Sequence, residues 1–319
     1  MQKVISVKRQ NIIEREHFGE IILYSENDFS KNNKDFRCFY LRSCAKPLQA
    51  SVLEDLGVFE YFNFTQEEIA ITCASHSGTP KHTTIVENIL KKIGKSSKVL
   101  KCGIHSPLDI EARHNLIKTG SKPSVLHNNC SGKHAGFLAA CVKENWDCST
   151  YLEQEHLLQK LILKKISDYC VFEPTHIAKD GCNAPIFAMP LENMCQGFSK
   201  TFQNHPKIAD AMAQNPYVAG GNNRIDSEIT ACSSGQIIAK VGAEGICMVY
   251  NCNTEQVLLV KILDSNEQAR AIALIEAMLQ LGWLRQDEIC NKPLGKFFDK
   301  TIKTSTGEVA GEIITEFVL

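Results

Sequence analysis

The sequence lacks what would commit it to a membrane, a nucleic acid or an export route. No apolar run approaches the roughly 20 residues needed to cross a bilayer. Lysine and arginine total 35 against 36 aspartate and glutamate, for a formal net charge of −1. No basic run stands out, so attraction to polyanions or anionic surfaces has no electrostatic basis. The N-terminus, MQKVISVKRQNII, has neither the apolar stretch nor the small-residue cleavage site of a secretory signal, and it reads as a strand entering a cytoplasmic fold. Repeats and low-complexity linkers are missing too. The 319 residues are therefore expected to form a single domain, 1–319, large enough for a sheet lobe and a helical lobe in intimate contact.

Cysteine is abundant by contrast: fourteen are spread over the whole chain. A chain of this size builds a core without covalent staples, and nothing points to an oxidising compartment. Most are expected to be reduced, buried, small hydrophobes. Cys130 and Cys182 stand apart because they sit in polar, loop-type clusters.

Strand character is expected at residues 3–9 and 20–25, with a hairpin bend in REHFGE near Gly19, and FRCFYLRS (36–43) reads as an extended approach to Ser43. Helical periodicity follows from KPLQASV to a stop at Gly57. Thr65 and Glu68 form a capping-box pattern. Further helices are expected at about 83–93, at 134–145, as a pair at 150–168, and at 267–283. Residues 173–194 read as a loop leading into a helix, and 220–236 as a long connection. IIAKVGAEGICMVYN (237–251) and VLLVKIL (257–263) are strand signals joined by NCNTEQ, and 307–319 closes as a strand. Strands at both ends with helices between them indicate an α+β fold. The expected architecture is an antiparallel sheet from N- and C-terminal strands with flanking helices, beside a central helical lobe at about 45–235.

The chain is organised around LRSCAKPLQA (41–50), where Ser43 precedes Lys46 by three residues and Pro47 follows. Positions three apart share a helix face. A serine hydroxyl needs a neighbouring base, and a lysine serves once burial or a nearby cation lowers its pKa. Pro47 lacks an N–H, which is harmless if Ser43 lies in the first turn, at a positive helix end suited to a developing oxyanion. Lys46, preceding a proline, is expected in a distorted turn.

Other clusters crowd small residues around reactive groups: CASHSG (73–78), NNCSGKHAG (128–136), KDGCNAP (179–185) and AKVGAEG (239–245). Ser75, His76 and Ser77 are candidates in a turn that equally reads as a polar helix cap. Cys130 and Lys133, with Cys182, allow a sparse metal site or simply buried thiols beside a loop. His156 and His205 look like ordinary helix-surface or loop residues. Asp180 is suited to holding an amino group or capping its own turn, and Arg42 to binding a carboxylate or ending a strand. Lys240, between IIA and VGA, would be partly buried, and a buried amine without a partner is costly. The order Ser43-x-x-Lys46, the Ser75 turn, then Lys240-Val241-Gly242 resembles the three-part arrangement of penicillin-recognising serine enzymes. By that analogy the backbone N–H groups of Ser43 and Ala243 form the oxyanion hole.

LRSCAKPLQA, CASHSG with Pro80-x-His82, HNNCSGKHAG, DGCNAP and KVGAEG together resemble the asparaginase II family, the rhizobial-type L-asparaginases with a serine β-lactamase-like fold. The resemblance runs from about Arg15 to Gly245. It implies hydrolysis of L-asparagine to L-aspartate and ammonia through a serine acyl-enzyme. Ser43 would be the nucleophile and Lys46 its base, with Ser75 and Lys240 a second Ser–Lys pair. It implies a metal site, usually zinc, at Cys130, Lys133 and Cys182, a substrate pocket including Arg42, His134 and Asp180, and a homodimer. Thr79, Asn183 and Ser227 depart from the family pattern, bearing on affinity and selectivity. The alternatives are a glutaminase or β-lactamase-like serine hydrolase with the same chemistry, and a non-catalytic zinc or thiol binding protein.

Overall fold

The structure, a computed structural model, describes residues 1–26, 37–290 and 292–319. Phe36, where the expected approach to Ser43 begins, lies outside them, as does the side chain of Cys290. The chain opens with strands β1 (Gln2–Arg9) and β2 (Ile12–Tyr24). Their hairpin turns at Gln10 and Asn11, not at REHFGE: Gln10 takes a left-handed backbone (φ 51°), and Ser6 pairs with Glu16. The polar residues of REHFGE misled because this half of β2 is largely exposed, where a strand has no need of apolar side chains.

After β3 (Phe39–Tyr40) the helical lobe begins with α1 (Lys46–Asp55), α2 (Val58–Tyr61), α3 (Gln66–Thr72), α4 (Pro80–Lys92), α5 (Ile110–Lys118), α6 (Ser131–Lys143) and α7 (Leu157–Cys170). The Thr65–Glu68 capping box forms as the sequence suggests. Helix α4 starts earlier than expected because Thr79 caps it and Pro80 takes its first position, where a missing N–H costs nothing. Helix α6 likewise starts at Ser131, three residues early, and the expected helical pair at 150–168 is one helix preceded by turns.

Residues 173–194, read from sequence as a loop and helix, contain two strands, β4 (Ile177–Lys179) and β5 (Pro185–Met189). With β3 they form a small antiparallel sheet in the order β3-β5-β4. The lobe continues through α8 (Leu191–Asn204), α9 (Pro206–Gln214), α10 (Pro216–Ala219) and α11 (Ile225–Cys232). Helix α11 falls inside the expected long connection, whose polar residues are buried rather than loop-like. The stretch 237–251 is two strands, β6 (Ile237–Val241) and β7 (Ile246–Asn251), turning at Gly245 (φ 74°), and β8 (Val257–Ile262) follows. Helices α12 (Glu267–Gln280) and α13 (Gln286–Cys290) lead to β9 (Thr301–Lys303) and β10 (Val309–Thr315).

The main sheet is antiparallel in the order β6-β7-β8-β2-β1-β10-β9, drawn from both ends of the chain. β6 to β8 are buried along their whole length because helices cover both faces. On one side, Leu191, Met194, Cys195, Phe198 and Phe202 of α8 recur at helical spacing and join Ile238, Met248 and Leu259 in the larger core. On the other, α12 packs Ile272, Ile275 and Met278 with Ile237, Ala239 and Val249 in a second core. Successive β6 side chains leave by opposite faces, so Lys240 points toward the helical lobe and Val241 toward α12. Among the described side chains thirteen cysteines are free and ten of these are buried, as their reading as reduced hydrophobes requires. Among the described residues, no helix is long and apolar enough to cross a membrane.

Candidate active site

Ser43 lies in a 3₁₀ turn, Arg42–Ala45, that runs directly into α1. Early N–H groups of such a turn have no intrahelical acceptor. Arg42 takes a left-handed backbone (φ 49°), which sets the direction of the turn. Lys46 keeps ordinary helical angles (φ −61°, ψ −41°) despite the following proline, so the expected distortion is absent. Its side chain is 1% exposed. The amine donates to the carbonyl of Ala74 (2.6 Å), the hydroxyl of Ser75 (2.9 Å) and the carbonyl of Asn129 (3.4 Å). None of these bonds reaches Ser43, which is half-buried one turn away.

Ser75 is the hub. Nζ of Lys240 lies 3.0 Å from the same hydroxyl oxygen that Lys46 reaches, and it donates to the Val241 carbonyl at 2.9 Å. Lys240 is completely buried, more than the sequence suggested. Burial pushes its pKa down to about 8, the neighbouring Lys46 pushes the same way, and Asp226 opposes the fall. Sequence reasoning missed the part played by Asp226. Its carboxylate, 3% exposed, stands 3.8 Å from the Lys240 amine and accepts the Val241 N–H at 3.2 Å. Burial raises its pKa, but Arg224, Lys240 and Arg270 together hold it below the usual carboxylate range. The only signal was an acidic residue opening a helix concealed in a polar run. His76 is buried in the same cluster, and burial pushes its pKa well down. Its Nδ1 accepts the Gly78 N–H, leaving Nε2 to donate to Ser131 at 2.9 Å.

The three metal candidates are also brought together. Lys133 donates to the Cys182 sulfur at 3.2 Å. Cys130 keeps its proton beside the same sulfur, and its thiol hydrogen bond, together with Lys133 and His134, holds Cys182 far below the normal thiol range. Burial opposes charging of Lys133, yet Cys182, Cys130 and Asp180 raise its pKa to about 12. His134 pairs through Nδ1 with the Tyr151 hydroxyl at 2.7 Å, while its buried Nε2 carries no hydrogen bond. Asn129 ties this cluster to the serine hub, since its backbone carbonyl meets Lys46 and its side-chain oxygen lies 3.3 Å from the Cys130 sulfur.

Arg42 and Asp180 form an ion pair, with Nε and a terminal nitrogen of the guanidinium 3.0 and 2.9 Å from one carboxylate oxygen. Another terminal nitrogen reaches Glu244 at 3.2 Å. Ala243 is exposed in the β6–β7 turn. Gly242 explains how that turn approaches Ser43: a Cβ there would lie 2.5 Å from Ile246, 3.1 Å from the Cys44 sulfur and 3.3 Å from the Leu41 carbonyl. The Cys44 thiol also donates to the Lys240 carbonyl at 3.2 Å. The early serine turn and the late lysine strand are thus locked together.

The family model for L-asparaginase II matches residues 5–315. The chain belongs to the L-asparaginase II family. No curated protein matches it. The family is one of amidohydrolases, and the matched span contains every cluster just described.

The three departures from the asparaginase II pattern each have a structural place. Thr79 caps α4, accepting the His82 N–H. Asn183 adopts φ 68°, a left-handed backbone that asparagine tolerates better than most residues in place of glycine. Ser227 accepts the Gly221 N–H at 3.0 Å inside α11. Among the described residues no group of three or more His, Cys, Asp or Glu is placed for a metal. Any metal at the asparaginase thiol cluster therefore depends on Lys133. Two sulfurs and one amine form a donor set of the kind zinc takes, on condition that the metal displaces the Lys133 proton.

Proposed function

We propose that this asparaginase-type amidohydrolase cleaves the side-chain amide of L-asparagine through an ester on Ser43, using Lys46, Ser75 and Lys240 as one proton-handling unit. The supporting observation is the Ser75 oxygen, 2.9 and 3.0 Å from two buried amines. Two ammonium ions so close to one oxygen repel each other, which makes one of the pair easier to deprotonate. Lys46 has three acceptors for three N–H bonds. Lys240, brought down to about 8, is the partner that gives up its proton and accepts from the Ser75 hydroxyl.

Ser75 passes its proton to Lys240 and takes one from Lys46, which becomes a free amine and receives the Ser43 proton as the alkoxide attacks the amide carbon. The oxyanion is met by the N–H groups of Ser43 and Ala243. The tetrahedral species collapses with loss of ammonia, protonated from the same unit. Water then attacks the ester, giving L-aspartate and restoring Ser43. The Lys46 amine bonds Ala74, Ser75 and Asn129 in this structure, and its hydrogen bond to Ser43 forms when substrate binds. Arg42 and Asp180 present opposite charges that suit a zwitterion: the guanidinium takes the α-carboxylate and Asp180 the α-amine. Zinc held by Cys130, Lys133 and Cys182 would supply a Lewis-acid centre, its charge balanced by the two thiolates, that fixes these side chains beside the pocket. The arrangement of early serine turn, Ser75 turn and Lys240 strand also supports the serine β-lactamase-like reading of the fold.

The test is ammonia release from L-asparagine by the Ser43→Ala protein, with L-glutamine and a chromogenic β-lactam as parallel substrates. Loss of turnover with an unchanged melting temperature is expected, and turnover is expected to be confined to asparagine. Retained asparagine turnover would exclude Ser43 as nucleophile.

A further inference from the structure

Behind β6, on the face opposite Lys240, lies a cavity of about 380 Å³ between the starts of α11 and α12 and the 3₁₀ segment Pro293–Phe298. Arg224, Arg270 and Lys296 line it, against one acid, Glu267, with Val241 and Phe297 on its walls. Arg270 is the unusual member. It is 5% exposed, and its buried Nε carries no hydrogen bond. An unpartnered donor on a buried guanidinium is costly, and a carboxylate or phosphate satisfies it with two parallel bonds. Arg224 is available to share, since its nearest carboxylate, Asp226, stands at 3.9 Å. Lys296 is held at the rim by Asn223.

We propose that this cavity is a second binding site, for a small oxyanion of carboxylate or phosphate type, held by Arg270, Arg224 and Lys296. It is separate from the Ser43–Ser75 cleft because Val241, on its wall, and Lys240, in the cleft, leave β6 by opposite faces. Communication between the two passes through Asp226, on which Arg224, Arg270 and Lys240 all act. A bound anion would draw on the arginines that now support that carboxylate.

The test is titration calorimetry of the full chain with inorganic phosphate and, separately, succinate. Saturable binding of one anion per chain is expected in the millimolar range or tighter. Lys296→Glu, on an exposed side chain, and Arg270→Gln should each weaken it about tenfold or more, the scale of losing one charge-assisted contact. Should Arg270→Gln not fold, Lys296→Glu decides. Binding of phosphate alone or of succinate alone supports the site and identifies the source of its oxyanion. Failure of both anions to bind, or binding lost in Arg42→Gln and kept in Lys296→Glu, overturns the proposal.

Discussion

Replacing Asp226 with asparagine gives the sharpest test of the two-amine arrangement. The change keeps one oxygen for the Val241 N–H, puts an amide nitrogen where the other oxygen accepts the Ser227 N–H at 3.2 Å, and removes the charge. With Lys240 at about 8, about one molecule in ten carries the free amine at pH 7. At the ordinary lysine value of 10.5, it would be roughly one in three thousand. The rate of ester formation should therefore climb about tenfold per pH unit below 8 and level off above it. The carboxylate, 3.8 Å from the amine, favours the charged form. Without it, charging is harder, Lys240 falls further, and the free amine is reached at lower pH. Arg224 acts in the same direction once its counter-charge is gone. The acid limb of log kcat/KM against pH should move down by about one unit or more, the usual effect of one close opposite charge. The assay is ammonia release from asparagine at saturating and limiting substrate between pH 5 and 10, with Lys240→Met as the variant in which this limb disappears. An acid limb that stays in place or moves up in Asp226→Asn would refute the reasoning.

Gly242→Ala places a methyl 2.5 Å from the Ile246 side chain and 3.1 Å from the Cys44 sulfur, so we expect a loss of about 1–3 kcal/mol, read as a lower melting temperature, and a larger fall in kcat as the Ser43 turn is pushed away. Cys182→Ser removes the sulfur that both Cys130 and Lys133 address; after dialysis against zinc the unaltered chain should retain about one ion and the variant none, measured by elemental analysis. Equal zinc in both proteins would move the site elsewhere.

Most of the main sheet was legible because its strands are either alternating or wholly apolar, although β9 was not expected and 237–251 was read as one strand, and helices such as α12 announce themselves by period. Elements were lost where local polarity had another cause. Helix α11 reads as a loop because Asp226, Ser227 and Glu228 are buried for their contacts with Lys240, Gly221 and Asn223. β4 and β5 are short and flank the Asp180–Asn183 turn, so turn signals masked them. The reactive residues were visible as types in suspicious company. Their pairings were not: spacing suggested that Lys46 would reach Ser43, whereas its amine turns to Ser75, which only the long-range meeting of α1 with the segment after α3 decides. The Asp226–Lys240 contact joins residues fourteen apart across a helix-to-strand turn, beyond any local period.

The two lysines are chemically identical, and their surroundings differ. Lys46 sits among carbonyls of Ala74 and Asn129, which accept hydrogen bonds and donate none. Lys240 has one carbonyl, a carboxylate at 3.8 Å supported by Arg224 and Arg270, and the direct repulsion of Arg224. In the proposed mechanism a proton moving between the amines through Ser75 meets an asymmetric landscape, and pairs of titratable groups with unlike environments are how acid and base roles are divided. The asymmetry comes from chain topology. Lys46 belongs to the helical lobe and Lys240 to the sheet, and Cys44 and Gly242 clamp the two at the seam. A change that loosened the seam without touching any reactive group would separate the amines, return Lys240 toward its ordinary pKa, and cost activity before it cost the fold.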